Sequence, residues 1–163
     1  MGRPRGKQIA PEGHYIEVPP SFENASGTVN TSYEDTNFTD FEKWFLIVSA
    51  SASGRLDSVF RGRLGASHTI IDSVKLFVKA GASGSPQFDI QIYCEGQGSS
   101  NQYTGTYSSQ GAIPGSGSAT EITIPSSEIT NQPGTNKRYF IFVRAYLDDG
   151  ESMYLARPFV QHT

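Results

Sequence analysis

The stretch Thr69–Gly96, TIIDSVKLFVKAGASGSPQFDIQIYCEG, decides the fold. Val74, Leu76 and Val78 alternate with Ser73, Lys75 and Lys79; further on, Phe88, Ile90, Ile92 and Cys94 alternate with Gln87, Asp89, Gln91 and Tyr93. A period of two sends one set of side chains to a core face and the other set to the opposite face. Between the two runs, Gly81 to Pro86 combines residues that accept positive φ with a proline that cannot extend a ladder. The spacing predicts an antiparallel hairpin with a loop longer than a tight turn. Phe77 and Tyr93 interrupt the polar face of this pair, so a contact that covers them is expected there.

Similar texture extends in both directions. In Lys43–Ser49, KWFLIVS, Trp44, Leu46 and Val48 share one face and Phe45 and Ile47 the other. In Ser58–Gly65, Val59, Arg61 and Arg63 alternate with Phe60, Gly62 and Leu64. Residues 95–119 are rich in Gly and Ser and read as a long surface loop, with a short edge strand near Tyr103. TEITIP, at 120–125, is a short strand, and Ser126–Thr130 a helical turn capped by Ser126. In Lys137–Leu147, Tyr139, Ile141, Val143 and Ala145 oppose Phe140, Phe142, Arg144 and Tyr146. A turn at Asp148–Glu151 leads to a last strand, Ser152–Gln161, in which Pro158 implies an edge or a bulge. Seven or eight strands, with no helical crossover pattern between them, predict an all-β antiparallel β-sandwich.

The chain of 163 residues is long enough for one domain with a substantial core. Arg3, Arg5 and Lys7 open it with three positive charges; residues 8–42 then hold seven acids and no Lys or Arg. With Pro4, Pro11, Pro19 and Pro20, this divides the chain into an extended N-terminal arm and polar linker at 1–40 and a sandwich at 41–163. Tyr15 and Ile16 are the apolar anchors expected on the arm. A formal net charge of −3 argues against a general nucleic-acid binder. No apolar h-region follows the basic start and no apolar run has the length of a membrane span, so synthesis in the cytoplasm and no membrane partner are expected.

Groups that carry chemistry are sparse. His14, His68 and His162 lie far apart and lack metal-ligand spacing, so they read as three unrelated surface residues. Cys94 falls on the core side of its strand, with no basic neighbour to activate it. The acids Asp35, Asp57, Asp72, Asp89 and Glu95 are the candidates for a carboxylate pair of glycoside hydrolysis, but most sit beside turns or at solvent-facing strand positions, where solubilising carboxylates are ordinary. Asp148-Asp149-Gly150-Glu151 lacks the spacing of a calcium loop. No catalytic, cofactor-binding or metal-binding residue is expected, and no cofactor. Phe77, Tyr93, Phe140 and Phe142 are the candidate oligomer interface, because aromatic rings on second faces belong either to a core or to an interface centre.

The sequence RPRGKQIAP, then KWFLIVSAS, IDSVKLFVKAGASGSPQFDIQIYCEG, TEITIP and the closing RYFIFVRAYLDDGESMYLARPFVQ resemble, in order and texture, small jelly-roll proteins of tailed bacteriophages, in particular capsid cement (decoration) and head or tail appendage subunits. The resemblance covers most of residues 40–163. It implies a jelly-roll-like sandwich in a virion, without enzymatic activity, forming a dimer or trimer and binding the major capsid protein or another virion protein. Arg3, Arg5, Lys7, Tyr15 and Ile16 would then be the arm that contacts the shell. The alternative is a carbohydrate- or receptor-binding module of an appendage, with Trp44, Tyr103 and Tyr107 as candidate stacking residues.

Overall fold

A computed structural model describes residues 12–16, 20–34, 45–81, 84–95, 108–112, 119–129 and 132–163. Arg3, Arg5, Lys7, Trp44, Tyr103 and Tyr107 lie outside them. Twelve strands are present among the described residues: β1 (Glu12–Tyr15), β2 (Ser21–Ser26), β3 (Val29–Glu34), β4 (Phe45–Ala50), β5 (Gly54–Arg63), β6 (Ile71–Ala80), β7 (Gln87–Cys94), β8 (Ser108–Ala112), β9 (Thr120–Pro125), β10 (Arg138–Leu147), β11 (Ser152–Leu155) and β12 (Phe159–His162). Their pairings are antiparallel and form two sheets, one of five strands in the order β2-β5-β10-β7-β8 and one of seven built on β1-β12-β6-β11-β4-β3 with β9 beside β6. The expected all-β jelly-roll-like sandwich is the fold observed.

The core fills the space between the sheets. Phe60, Leu64, Phe88, Ile90, Tyr139, Ile141 and Val143 enter from the five-stranded sheet; Val74, Leu76, Val78, Met153, Leu155 and Val160 enter from the other. Each set occupies alternate positions of its strands, as the period of two requires. Cys94 is buried in this core, as its position in the alternation indicated.

The stretch Thr69–Gly96 is not a hairpin. Its first strand, β6, pairs with β9, β11 and β12; its second, β7, pairs with β10 and β8 in the opposite sheet. The connection therefore crosses from one sheet to the other. Alternation cannot tell these cases apart, because two strands that face each other across a core show the same apolar period as two that share hydrogen bonds. The turn at Asp148–Glu151 crosses between the sheets in the same way, from β10 to β11. Here the Glu151 carboxylate accepts N–H groups from Ser85 and Asp148, at 2.7 and 2.9 Å, so this acid fastens two loops together.

The division at residue 40 is also corrected. The described part of the predicted arm is woven into both sheets: β1 pairs with β12, β2 with β5 and β3 with β4. Ile16, expected to contact a partner, is buried in the protein's own core, and its N–H donates to Pro158 O at 3.0 Å. Tyr15 remains exposed and packs edge-on against Phe159, with ring centroids 4.9 Å apart. Pro158 interrupts the last strand without placing it at an edge: β11 and β12 run in succession along β6, each paired on both sides. At the turn after β9, Pro125 occupies the N-cap position and Ser126 supplies no side-chain cap.

One buried ion pair locks the two long central strands of the five-stranded sheet. Arg144 on β10 donates to both oxygens of Asp57 on β5, at 2.6 and 2.7 Å, and Asp57 is fully buried. Removing one member strands the other charge away from water, whereas replacing both with apolar groups of similar volume relieves that penalty. Arg144→Met is expected to lower unfolding free energy by about 3 kcal/mol, with most of the loss recovered in Asp57→Leu/Arg144→Met. Urea denaturation of the two single variants and the double variant measures this coupling.

Candidate functional site

The outward face of the five-stranded sheet carries its polar and aromatic chemistry in rows fixed by register. Tyr93, Phe140 and Arg61 are direct cross-strand partners on β7, β10 and β5. The next outward row holds Gln91, Phe142, Val59 and Ser21, and the one beyond it Asp89, Arg144, Asp57 and Glu23. Three of the four predicted interface aromatics, Tyr93, Phe140 and Phe142, are therefore brought together. Phe77 stands apart, because β6 belongs to the other sheet; its neighbours there include Glu121, its cross-strand partner on β9.

The three rings border a surface groove of ≈390 Å³, which also involves Val59, Cys94, Glu23, Arg61, Glu95 and Arg138. Tyr93 and Phe142 pack at 4.8 Å between centroids, tilted by 55°, and the Arg61 guanidinium lies 6.0 Å from the Phe140 ring centre. All three rings are half-buried. An apolar floor with a few convergent polar groups is the ordinary composition of a ligand site.

Two ion pairs flank the floor and differ in kind. Arg138 donates through Nη2 and Nε to the two oxygens of Glu95, at 2.8 and 3.2 Å, and its backbone N–H adds a third bond at 3.0 Å. These bonds, before the charge itself, pull the Glu95 carboxyl down to about 2. Arg61 reaches Glu23 through one contact of 3.4 Å, and both side chains are nearly half exposed. Exposed pairs of that kind contribute little to stability and rearrange readily. At the other end of the face, Tyr146 donates to Asp89 at 2.8 Å; burial, then this bond, pushes the Tyr146 phenol up.

The three histidines, expected to be unrelated, meet at one edge of the sandwich. The separation of 148 residues between His14 and His162 hides this in the sequence, and the pairing of β1 with β12 produces it. His14 Nδ1 lies 2.9 Å from His162 Nε2, His14 Nε2 lies 3.0 Å from the Tyr139 hydroxyl, and the His68 ring packs edge-on against His162 at 4.2 Å. Glu12 approaches His68 at 3.4 Å. No group of three or more His, Cys, Asp or Glu among the described residues is arranged to hold a metal ion.

A contact of 2.9 Å between ring nitrogens accommodates one proton, so His14 and His162 cannot both be doubly protonated in this arrangement. Burial first, then the charge of His68, lowers the affinity of both for a second proton; His14 adds to this for His162, while Glu12 and Asp72 oppose it. Where the folded pKa lies below the ordinary 6.5, the unfolded chain binds more protons, and stability falls as pH drops from 6.5 through the folded values. Thermal midpoints recorded between pH 7.5 and 5 are expected to fall with pH in the native chain and to depend less on pH in His162→Gln. Equal slopes for the two proteins would contradict the geometry.

Comparison with known proteins adds the fold's relations. No protein-family model matches the chain, and no curated protein matches it in sequence. Among solved structures it is similar to TmCBM61, solved in complex with β-1,4-galactotriose, at 11% identity and TM-score 0.60, over 91% of this chain and 98% of that one. It is likewise similar to the family 11 carbohydrate-binding module from Clostridium thermocellum in complex with a β-1,3-1,4-mixed-linked tetrasaccharide, at 11% identity and TM-score 0.53, over 94% and 96% of the two chains. The enzymatically active domain of bacteriophage CBA120 tailspike protein 4 matches at 11% identity and TM-score 0.53, over 86% of this chain and 19% of that one. The class defined is the jelly-roll β-sandwich to which these carbohydrate-binding modules belong.

The sequence pointed to Tyr93, Phe140 and Phe142 but not to the residues beside them. Arg61, Arg138 and Glu23 are outward positions of strands and Glu95 directly follows β7, and only the pairing of those strands reveals that they are adjacent. The available signal was that three predicted strands each carried an aromatic or arginine-rich second face.

Proposed function

We propose that this chain is a non-enzymatic carbohydrate-binding β-sandwich module, and that the Tyr93–Phe140–Phe142 face is its sugar-binding surface. The observation that carries the reading is the half-buried aromatic floor, held by three hydrogen-bonded strands in an open groove. Sugar rings present apolar C–H faces rimmed by hydroxyls; aromatic rings match the faces, and Arg and Glu at the margin match the rim. A floor fixed by strand pairing needs little ordering on binding, which favours affinity. The likeness in fold to modules solved with bound oligosaccharides supports the same reading.

Capsid cement, the first expectation from the sequence, takes second place, because the similar structures described above are carbohydrate-binding modules and a tailspike domain rather than capsid proteins. Location on a virion appendage, where glycan binding would attach a particle to a surface, is retained as part of the proposal and rests on the resemblance in strand order.

Affinity electrophoresis against a panel of soluble polysaccharides tests the site. At least one is expected to retard the native chain, with Phe142→Ala and Tyr93→Ala each weakening binding by about tenfold, the effect of losing a centrally placed aromatic contact. Phe77→Ala, on the other sheet, is expected to bind normally. Unchanged retardation in both groove variants, or no retardation by any polysaccharide, would overturn the assignment.

A further inference from the structure

The groove's polar margin is unevenly charged. Arg138 and Arg63 are direct cross-strand partners, and Arg61 follows two residues before Arg63 on the same face of β5. Three arginines thus hold neighbouring outward positions at one end of the aromatic floor, Arg61 and Arg138 lining the groove and Arg63 next to them in register, in a protein whose formal net charge is −3. Two carboxylates, Glu95 and Glu23, stand among them.

These groups are not equally committed. Glu95 is saturated by Arg138, which meets it with two side-chain bonds and one backbone bond. Arg63 is exposed and makes no ion pair among the described residues. Arg61 is held to Glu23 by a single long contact while its guanidinium remains near the Phe140 ring. A guanidinium presents a planar fork that binds a carboxylate through two parallel hydrogen bonds, which the single 3.4 Å contact to Glu23 does not exploit. Adjacent hydroxyls of a neutral sugar can accept from the same fork, but without the charge that makes a carboxylate the stronger acceptor.

We infer that the groove selects acidic glycans, chains that carry a uronate carboxylate, with Arg61 reading the charge, Arg63 reinforcing it and Glu23 acting as an internal competitor. The inference rests on the glycan-binding reading above and specifies its ligand. The sugar ring stacks on the aromatic floor, and its carboxylate displaces Glu23 from Arg61. Because Glu23 both occupies Arg61 and repels an incoming anion, its removal strengthens binding, the reverse of what loss of an ordinary contact residue does.

The test uses uronate oligosaccharides of the glucuronate, galacturonate and mannuronate series, each beside the same oligomer with its carboxyls reduced to alcohols. Calorimetric titration at about 50 mM salt is expected to show at least one acid form binding about tenfold more tightly than its reduced form, as a charge-assisted bond implies. That advantage is expected to shrink at about 500 mM salt, where exposed charges are screened. Arg61→Gln abolishes the advantage, Arg61→Lys keeps part of it, and Glu23→Gln enlarges it. The exposure of Arg61 and Glu23 lets these variants fold, and circular dichroism checks that they do. If reduced or other neutral glycans bind as tightly as the acids, or if Glu23→Gln weakens binding, the inference fails while the glycan-binding reading stands. If no glycan of either kind binds, both fail.

Discussion

Everything in the structure depends on the two-sided alternation of β10. This strand is paired along its whole length with β5 and along most of it with β7. Tyr139, Ile141, Val143, Ala145 and Leu147 are buried in the core, while Arg138, Phe140, Phe142, Arg144 and Tyr146 form the spine of the outward face. One strand thus builds the core and the candidate site together. A slip of one residue would exchange the two sets, placing Arg144 in the core and Val143 in the groove. The apolar set excludes that slip, and in doing so it fixes where the aromatic floor stands.

Two bidentate ion pairs cross the outward face. The Asp57–Arg144 pair joins β5 to β10, and the Glu95–Arg138 pair joins the end of β7 to β10. Both use the fork of an arginine on β10, so the strand that carries Phe140 and Phe142 is gripped on both sides of the rings. Arg61 and Glu23 differ in geometry: one contact of 3.4 Å joins them, against the three hydrogen bonds between Arg138 and Glu95. Both of the outer pairs line the groove, and only Arg61 leaves its planar fork incompletely used.

Much of the sandwich is legible in the sequence, because alternation is a local property. Val74–Val78, Phe88–Cys94 and Tyr139–Ala145 announce their buried sides without any knowledge of the fold. Which sheet a strand joins is not local. The Gly81–Pro86 connection reads equally well as a hairpin loop or a crossing between sheets, and so Phe77 and Tyr93, alike in sequence, end on opposite surfaces of the molecule. Residues 12–34 read as an arm because their prolines and acids hide short strands that gain stability only from pairing with β12, β5 and β4. The meeting of His14, His68, His162 and Tyr139 is likewise a product of the β1–β12 pairing, which no spacing rule describes. The groove was half legible: its rings showed as aromatic residues on second faces, and its arginines became part of the same site only when register set them side by side.

The proposed glycan-binding surface is the outward face of β5, β10 and β7. An amide NMR titration with an oligosaccharide that the protein retains locates the contact directly. The largest shift changes are expected on Arg61, Tyr93, Phe140 and Phe142 and their strand neighbours. Changes centred instead on Phe77, Lys79 and Tyr154, across the sandwich on the other sheet, would contradict it.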